Sequence, residues 1–133
     1  MENKEKTNYF RLKKYNCAQA VAFSLLPFIN EKVDEITLFK MTEALGGGGC
    51  GSHKGTCGAL SGAQLIIGLA QSNGNLENPD SSDKTYAFGQ KVNEEFNRIM
   101  KSYICEDIKK EGNCEKAIEL AINLTKEALQ NKN

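Results

Sequence analysis

The feature that most constrains the fold of this chain is a glycine-rich segment, GGGGCGSHKGTCGALSGA, at residues 46–63. A run of four glycines ends a helix, because glycine loses more backbone entropy on folding than any other residue. The segment then continues into small residues, and Gly58 and Gly62 lie four positions apart on one face of a predicted helix. The sequence therefore predicts a glycine loop followed by a central small-residue helix, which another backbone or a flat ligand approaches closely.

Outside this segment, apolar residues recur with helical periodicity, and strand-like alternation is scarce. We expect residues 1–133 to form a single-domain, all-α bundle of about five or six helices, long enough to bury one core. Among the residues expected on the buried faces are Ile36, Met41 and Tyr86. The predicted helices span about 5–13, 17–28, 34–45, 56–71, 83–103 and 114–130.

The charge balance and the hydropathy pattern exclude two classes of partner. Lysine plus arginine and aspartate plus glutamate each total 17, so no basic face is expected to bind nucleic acid. The longest apolar run is about five residues, far below the roughly 20 that a membrane span requires. The charged N-terminal stretch MENKEKTNYFRLKK has no signal-peptide pattern, and we therefore expect a cytoplasmic protein.

Three of the five cysteines directly follow a capping residue at the predicted start of a helix. Backbone N–H groups and the positive end of the helix dipole stabilise a thiolate at that position, which lowers the thiol pKa. Cys57, at the end of the glycine loop, is the leading candidate for a reactive thiol. The alternative interpretation of each cysteine is a small apolar residue that fills the core. The three pairs of cap and cysteine are Asn16–Cys17, Thr56–Cys57 and Asn113–Cys114.

The other two cysteines have weaker patterns. Cys105 is predicted at the C-terminal end of the fifth helix, nine residues before Cys114, and a lysine-rich linker could let the two sulfurs meet. Such a pair would provide an attacking and a resolving thiol, or two ligands of one metal ion. Cys50 and His53 form a Cys-x-x-His pair that could bind a metal, although a loop histidine is more often simply solvated.

The glycine loop offers backbone conformations that other residues avoid. Gly48, Gly49 and Gly58 are therefore candidate positions where backbone N–H groups approach an anion, a cofactor or a sulfur cluster. A wide turn between two helices is the alternative. The loop lacks the Gly-Lys-Ser/Thr ending of a phosphate-binding loop, so nucleotide binding is not expected, and no particular cofactor is predicted.

The arrangement of the cysteines resembles that of a known family. Cys17, the segment CGALSG at 57–62, Cys105 and Cys114 are similar to the C_GCAxxG_C_C family of small redox-active proteins, over about residues 9–129. The family signature has glycine before its second cysteine, where this chain has Thr56. The resemblance implies that the four matching cysteines are the redox-active set and that Cys50 lies outside it.

Three functions follow from these observations, and the sequence leaves them open. The first is thiol–disulfide exchange or electron transfer with an unknown redox partner protein, as in a thiol–disulfide oxidoreductase. In it Cys57 reacts, Cys114 and Cys105 are its exchange partners, and Cys17 is the fourth member. The second is an iron–sulfur or other metal-binding protein that uses the same cysteines. The third is a helical interaction module without chemistry, for example a homodimer formed through the small-residue helix.

Overall fold

The computed structural model describes residues 3–131. In this part of the chain the backbone forms seven α-helices and no β-strand, which confirms the predicted all-α fold. Two short 3₁₀ turns, Leu26–Phe28 and Gly46–Gly48, interrupt the helical order. The helices are α1 (Asn3–Leu12), α2 (Cys17–Leu25), α3 (Glu35–Glu43), α4 (Gly58–Gln71), α5 (Ser82–Met100), α6 (Cys105–Lys110) and α7 (Cys114–Gln130).

Local capping explains where α2 and α3 begin. The Asn16 side chain accepts a hydrogen bond from the Gln19 N–H, and the Gln19 side chain accepts one from the Asn16 N–H, each at 2.9 Å. This reciprocal arrangement satisfies two donors at the start of α2 that would otherwise lack partners. Asp34 caps α3 by accepting from the Thr37 N–H at 2.9 Å. The α2 helix ends three residues before its predicted end, because Pro27 lies in the 3₁₀ turn that follows.

The core surrounds α4, which packs against α2, α5 and α7. A Cβ atom added at Gly62 would lie 2.5 Å from the Ala18 carbonyl oxygen and 3.0 Å from the Ala18 Cα. The glycine therefore lets α4 approach the backbone of α2, which confirms the close contact predicted for the small-residue helix. Among residues 3–131, no helix combines the length and the apolar character that crossing a membrane would need.

Three residues expected in the core are exposed instead. Ile36 is 67 % exposed and Met41 is 49 % exposed, because the short α3 buries only one narrow stripe, formed by Leu38 and Thr42. Tyr86 is 62 % exposed because it lies in the first part of α5, whereas that helix is buried over its second half. The buried side chains of α5 are Val92, Phe96 and Met100.

The fifth helix ends earlier than predicted, and a further helix follows it. Lys101 adopts a left-handed conformation with φ of 70° at the end of α5, which stops the helix at Met100. Thr56 and Ile104 then form an isolated antiparallel β-bridge. The expectation that Cys105 lies at the end of the fifth helix is therefore wrong: Cys105 is the first residue of α6.

Candidate functional site

Four of the five cysteines lie at the starts of helices, and we call them the helix-start cysteines. Cys17, Cys105 and Cys114 are the first residues of α2, α6 and α7. Cys57 is the N-cap of α4, one position before the predicted placement, so that Gly58 begins the helix. All five cysteines, including the exposed Cys50, are free thiols.

A pair of backbone hydrogen bonds fixes two of these cysteines beside each other. The Cys57 N–H donates to the Tyr103 carbonyl at 2.7 Å, and the Cys105 N–H donates to the Gly55 carbonyl at 2.9 Å. These bonds flank the β-bridge between Thr56 and Ile104 and tie the end of the glycine loop to the start of α6. Sequence reasoning missed this link because it depends on tertiary pairing.

The short α6 nevertheless had a signal in the sequence. Glu106 and Asp107 occupy its first turn, and Lys109 and Lys110 occupy its last turn. Acidic residues near the N-terminus and basic residues near the C-terminus complement the helix dipole. This charge pattern, read together with the preceding Ser102, would have indicated a helix starting near Cys105.

Gly58 makes room for Cys17. A Cβ atom at Gly58 would collide with the Cys17 Sγ, and it would lie 3.1 Å from the Leu45 carbonyl oxygen and 3.2 Å from the Gly46 Cα. The Cys17 sulfur therefore lies against the backbone of the residue that follows Cys57. A side chain at position 58 would push Cys17 and Cys57 apart.

Gly48 makes room for Cys105 in the same way. Its φ of +78° is in the left-handed region that favours glycine, and an added Cβ would lie 2.7 Å from the Cys105 Cβ. The space beside two of the three glycines proposed for cofactor binding, Gly48 and Gly58, is thus filled by the protein's own cysteines. Beside Gly49, a Cβ would meet nothing within 4 Å among the described residues.

Burial separates the cysteines into three groups. Cys57 is 5 % exposed and Cys105 is 7 % exposed, whereas Cys17 and Cys114 are half-buried and Cys50 is exposed. Cys57 and Cys105 are therefore shielded from large reactants, while Cys17 and Cys114 remain partly exposed to solvent. A partner that reacts with the cluster would meet Cys17 or Cys114 first.

The expectation of a lowered thiol pKa is wrong for Cys57. Burial is the largest cause and raises the pKa of Cys57 to about 12, although the backbone N–H groups of Ala59 and Leu60 lower it. The helix start thus acts in the predicted direction, but the loss of solvation outweighs it. Burial is also the first cause that raises the pKa of Cys105, and Lys109 acts against it.

The helix-start cysteines are close enough to affect one another's ionisation. After burial, the charges of Cys17 and Cys105 raise the pKa of Cys57, and those of Cys17 and Cys114 raise the pKa of Cys105. Cys105 thus links Cys114 to Cys17 and Cys57, and like charges on two interacting thiols oppose their simultaneous ionisation. The convergence of all four sulfurs in one place stays a prediction, since among residues 3–131 no three of these side chains are grouped closely enough to hold a metal ion.

The raised pKa of Cys57 predicts a loss of stability at alkaline pH. Above pH 9.0 the unfolded state releases the Cys57 proton, whereas the folded state keeps it until about pH 12. Since the unfolded state then binds fewer protons, the free energy of unfolding falls as pH rises, by at most about 1.4 kcal/mol per pH unit for one group. Urea denaturation under reducing conditions at several pH values between 8 and 11 measures the slope.

The Cys57→Ala variant is expected to show a shallower decline than the wild-type protein. Some decline remains because the pKa of Cys105 is raised as well. Cys50→Ala removes an exposed thiol and provides the matched control, which keeps the wild-type slope. Equal slopes for Cys57→Ala and Cys50→Ala would show that the Cys57 thiol does not hold its proton in the folded state.

The Cys-x-x-His pair of Cys50 and His53 and the other cysteines are also candidate metal ligands in the sequence. Among residues 3–131, no three His, Cys, Asp or Glu side chains are grouped so that they could hold a metal ion. The exposed Cys50 has a left-handed backbone with φ of 50°. The ring of His53 points toward α6, where its Nε2 lies 3.3 Å from the Lys109 Nζ.

Together, the fold and the site define an all-α protein that gathers four thiols at the starts of its helices. The family described as "Putative redox-active protein (C_GCAxxG_C_C)" matches the chain over residues 15–128, and the chain belongs to this family. The matched range contains all four helix-start cysteines, and it confirms the family resemblance found in the sequence. Neither the curated proteins nor the solved structures include a significant match to the chain.

Proposed function

We propose that the protein exchanges thiols and disulfides through two dithiol pairs, Cys17 with Cys57 and Cys105 with Cys114. The observation that carries this proposal is the clustering of four cysteines from four different helix starts. Each proposed pair combines one half-buried sulfur with one buried sulfur. This combination suits an exchange reaction, in which an accessible thiol attacks a partner and a protected thiol completes the reaction.

Contacts support the pairing of Cys17 with Cys57. The Cys17 sulfur lies against Gly58, which directly follows Cys57 in the chain. After burial and the hydrogen bond from the Ala59 N–H, Cys17 has the next largest effect on the pKa of Cys57, ahead of Cys105. A disulfide between them would join the starts of α2 and α4, which already pack closely at Ala18 and Gly62.

The geometry of α6 supports the pairing of Cys105 with Cys114. The helix spans only Cys105–Lys110, and the Asn113 N–H then donates to the Ile108 carbonyl at 3.0 Å. This bond turns the chain at the end of α6, so that α7 begins beside Ile108. Burial and then the charge of Cys17 are the larger causes that raise the pKa of Cys105, and the charge of Cys114 follows them.

In the proposed reaction, the half-buried Cys114 thiolate attacks a disulfide of a redox partner. One partner sulfur leaves as a thiolate that takes up a proton, and the other forms a mixed disulfide with Cys114. Cys105 then loses its proton and attacks the Cys114 sulfur, which releases the second partner thiol. One protein dithiol and one partner disulfide thus become one protein disulfide and two partner thiols. Cys17 and Cys57 react in the same manner.

Counting thiols tests the proposal directly. The Cys50→Ala variant is used, because the exposed Cys50 would otherwise capture the oxidant. After incubation with oxidised glutathione, we expect the four remaining thiols of the unfolded sample to fall to none. Intact-mass analysis should show the loss of four hydrogens without bound glutathione. Four persistent thiols, or glutathione attached stably to separate cysteines, would refute the paired mechanism.

A further inference from the structure

Cys105 lies between its own helix and the glycine loop, and both contribute further functional groups. The His53 carbonyl accepts a hydrogen bond from the Glu106 N–H at 2.9 Å. An added Cβ at Gly48 would lie 2.7 Å from the Cys105 Cβ and 3.0 Å from the His53 Cα, so this glycine touches both residues. The backbone of His53 is therefore fastened beside Cys105.

Lys109 of α6 contacts His53 as well. It lies four positions after Cys105, on the same face of α6. Its Nζ is 3.3 Å from the His53 Nε2, which accepts a hydrogen bond from the ammonium group when the ring carries its proton on Nδ1. His53 and Lys109 thus connect the glycine loop to α6 about one helical turn after Cys105.

Glu106, three positions before Lys109 on α6, is paired with a different lysine. The Glu106 Oε2 accepts from the Lys54 Nζ at 3.0 Å, in an ion pair outside the His53–Lys109 contact. After burial, the charges of Cys17 and Cys114 raise the pKa of Cys105, and the Glu106 carboxylate raises it further. Lys109 is the only cation among the causes that act on the ionisation of Cys105, after burial, Cys17 and Cys114.

We propose that the Lys109 ammonium stabilises the Cys105 thiolate during exchange, and that His53 is a positioning residue that holds Lys109 for this task. The inference rests on the proposed function, because it concerns the thiol that resolves the mixed disulfide on Cys114. During resolution the Cys105 proton passes to solvent, and Lys109 remains protonated beside the attacking anion. The sulfur–sulfur bond to the partner breaks, and the partner leaves as a thiolate that water protonates.

Replacing Lys109 with an uncharged residue tests whether its positive charge stabilises the Cys105 thiolate. Lys109→Met is compared with Lys110→Met, which removes the same charge from the adjacent position of α6, in the Cys50→Ala background. NMR of ¹³Cβ-labelled cysteine measures the pKa of Cys105, which is expected to rise in Lys109→Met and to stay unchanged in Lys110→Met. The rate at which glutathione is released from Cys114 should fall about threefold to tenfold in Lys109→Met alone. Lys109→Arg keeps a cation and should restore both values.

Two substitutions test the positioning role of His53. His53→Gln keeps a hydrogen-bond acceptor near Lys109 and should retain the wild-type pKa of Cys105, whereas His53→Leu should raise that pKa. The same pKa in Lys109→Met and Lys110→Met would overturn the role of Lys109, and the same pKa in His53→Leu and His53→Gln would overturn that of His53. These pKa measurements use the reduced protein, so they are separate from the thiol count. Disulfides that form normally with no effect of Lys109 refute only this inference.

Discussion

Replacing Gly62 with alanine is expected to lower the free energy of unfolding by about 3 kcal/mol. The added Cβ would lie 2.5 Å from the carbonyl oxygen and 3.1 Å from the carbonyl carbon of Ala18. Both atoms belong to the backbone of α2, which cannot move aside as a flexible side chain could. The two helices would have to separate, and this separation would loosen the contacts of α4 throughout the core.

Gly68→Ala is the matched control, because it makes the same chemical change in the same helix. Nothing lies within 4 Å of an added Cβ at Gly68, so the substitution should stabilise α4 by about 0.5–1 kcal/mol through the higher helix propensity of alanine. Urea denaturation of both variants under reducing conditions measures the two changes. Equal stabilities for Gly62→Ala and Gly68→Ala would contradict the close contact between α2 and α4.

Replacing Cys105 with alanine is expected to trap a mixed disulfide on Cys114. The Cys114 thiol can still attack oxidised glutathione, but its resolving partner is absent, so one bound glutathione should accumulate in nearly every molecule. In Cys114→Ala, by contrast, the 7 % exposed Cys105 should react with glutathione about 100-fold more slowly than Cys114 does in Cys105→Ala. Both substitutions are made in the Cys50→Ala background, and intact-mass analysis over time follows the adduct.

The contrast between these two variants distinguishes an ordered pair from independent thiols. Cys17 and Cys57 are unchanged in both proteins, and their reaction provides an internal control for oxidation. Equally fast adduct formation on Cys105 and Cys114 would contradict the assignment of the accessible and the resolving sulfur. A lack of any adduct in Cys105→Ala, while the other pair is oxidised, would show that Cys114 does not meet the partner.

Helix starts were the part of this structure most readily predicted from the sequence. The predicted range of the last helix, 114–130, is the observed Cys114–Gln130, and Asn16 caps α2 as expected. Capping depends on residues two or three positions apart, so local sequence contains the necessary information. The six-residue α6 was missed because it is too short for an apolar period and because its start is anchored through Cys105 to Gly55.

The cysteines of the site could be predicted, but their environment could not. Placing Cys57 at a helix start indicated the direction of the dipole effect, whereas its burial depends on residues far away in the sequence. The surroundings of the glycine loop could not be predicted either. Its flexibility suggested an open binding site, and only the packed structure shows that Cys17 and Cys105 occupy the space beside Gly58 and Gly48.

The pairing of the sulfurs is the most direct test of the account, and the sequence makes it easy to measure. Tryptic cleavage places Cys17, Cys50, Cys57, Cys105 and Cys114 on five separate peptides, at 15–32, 41–54, 55–84, 102–109 and 111–116. After mild oxidation and alkylation of the remaining thiols, mass spectrometry should find 15–32 linked to 55–84 and 102–109 linked to 111–116, with 41–54 alkylated. Peptides that are all alkylated, or links that join 41–54 to the others, would contradict a redox cluster built from the helix-start cysteines.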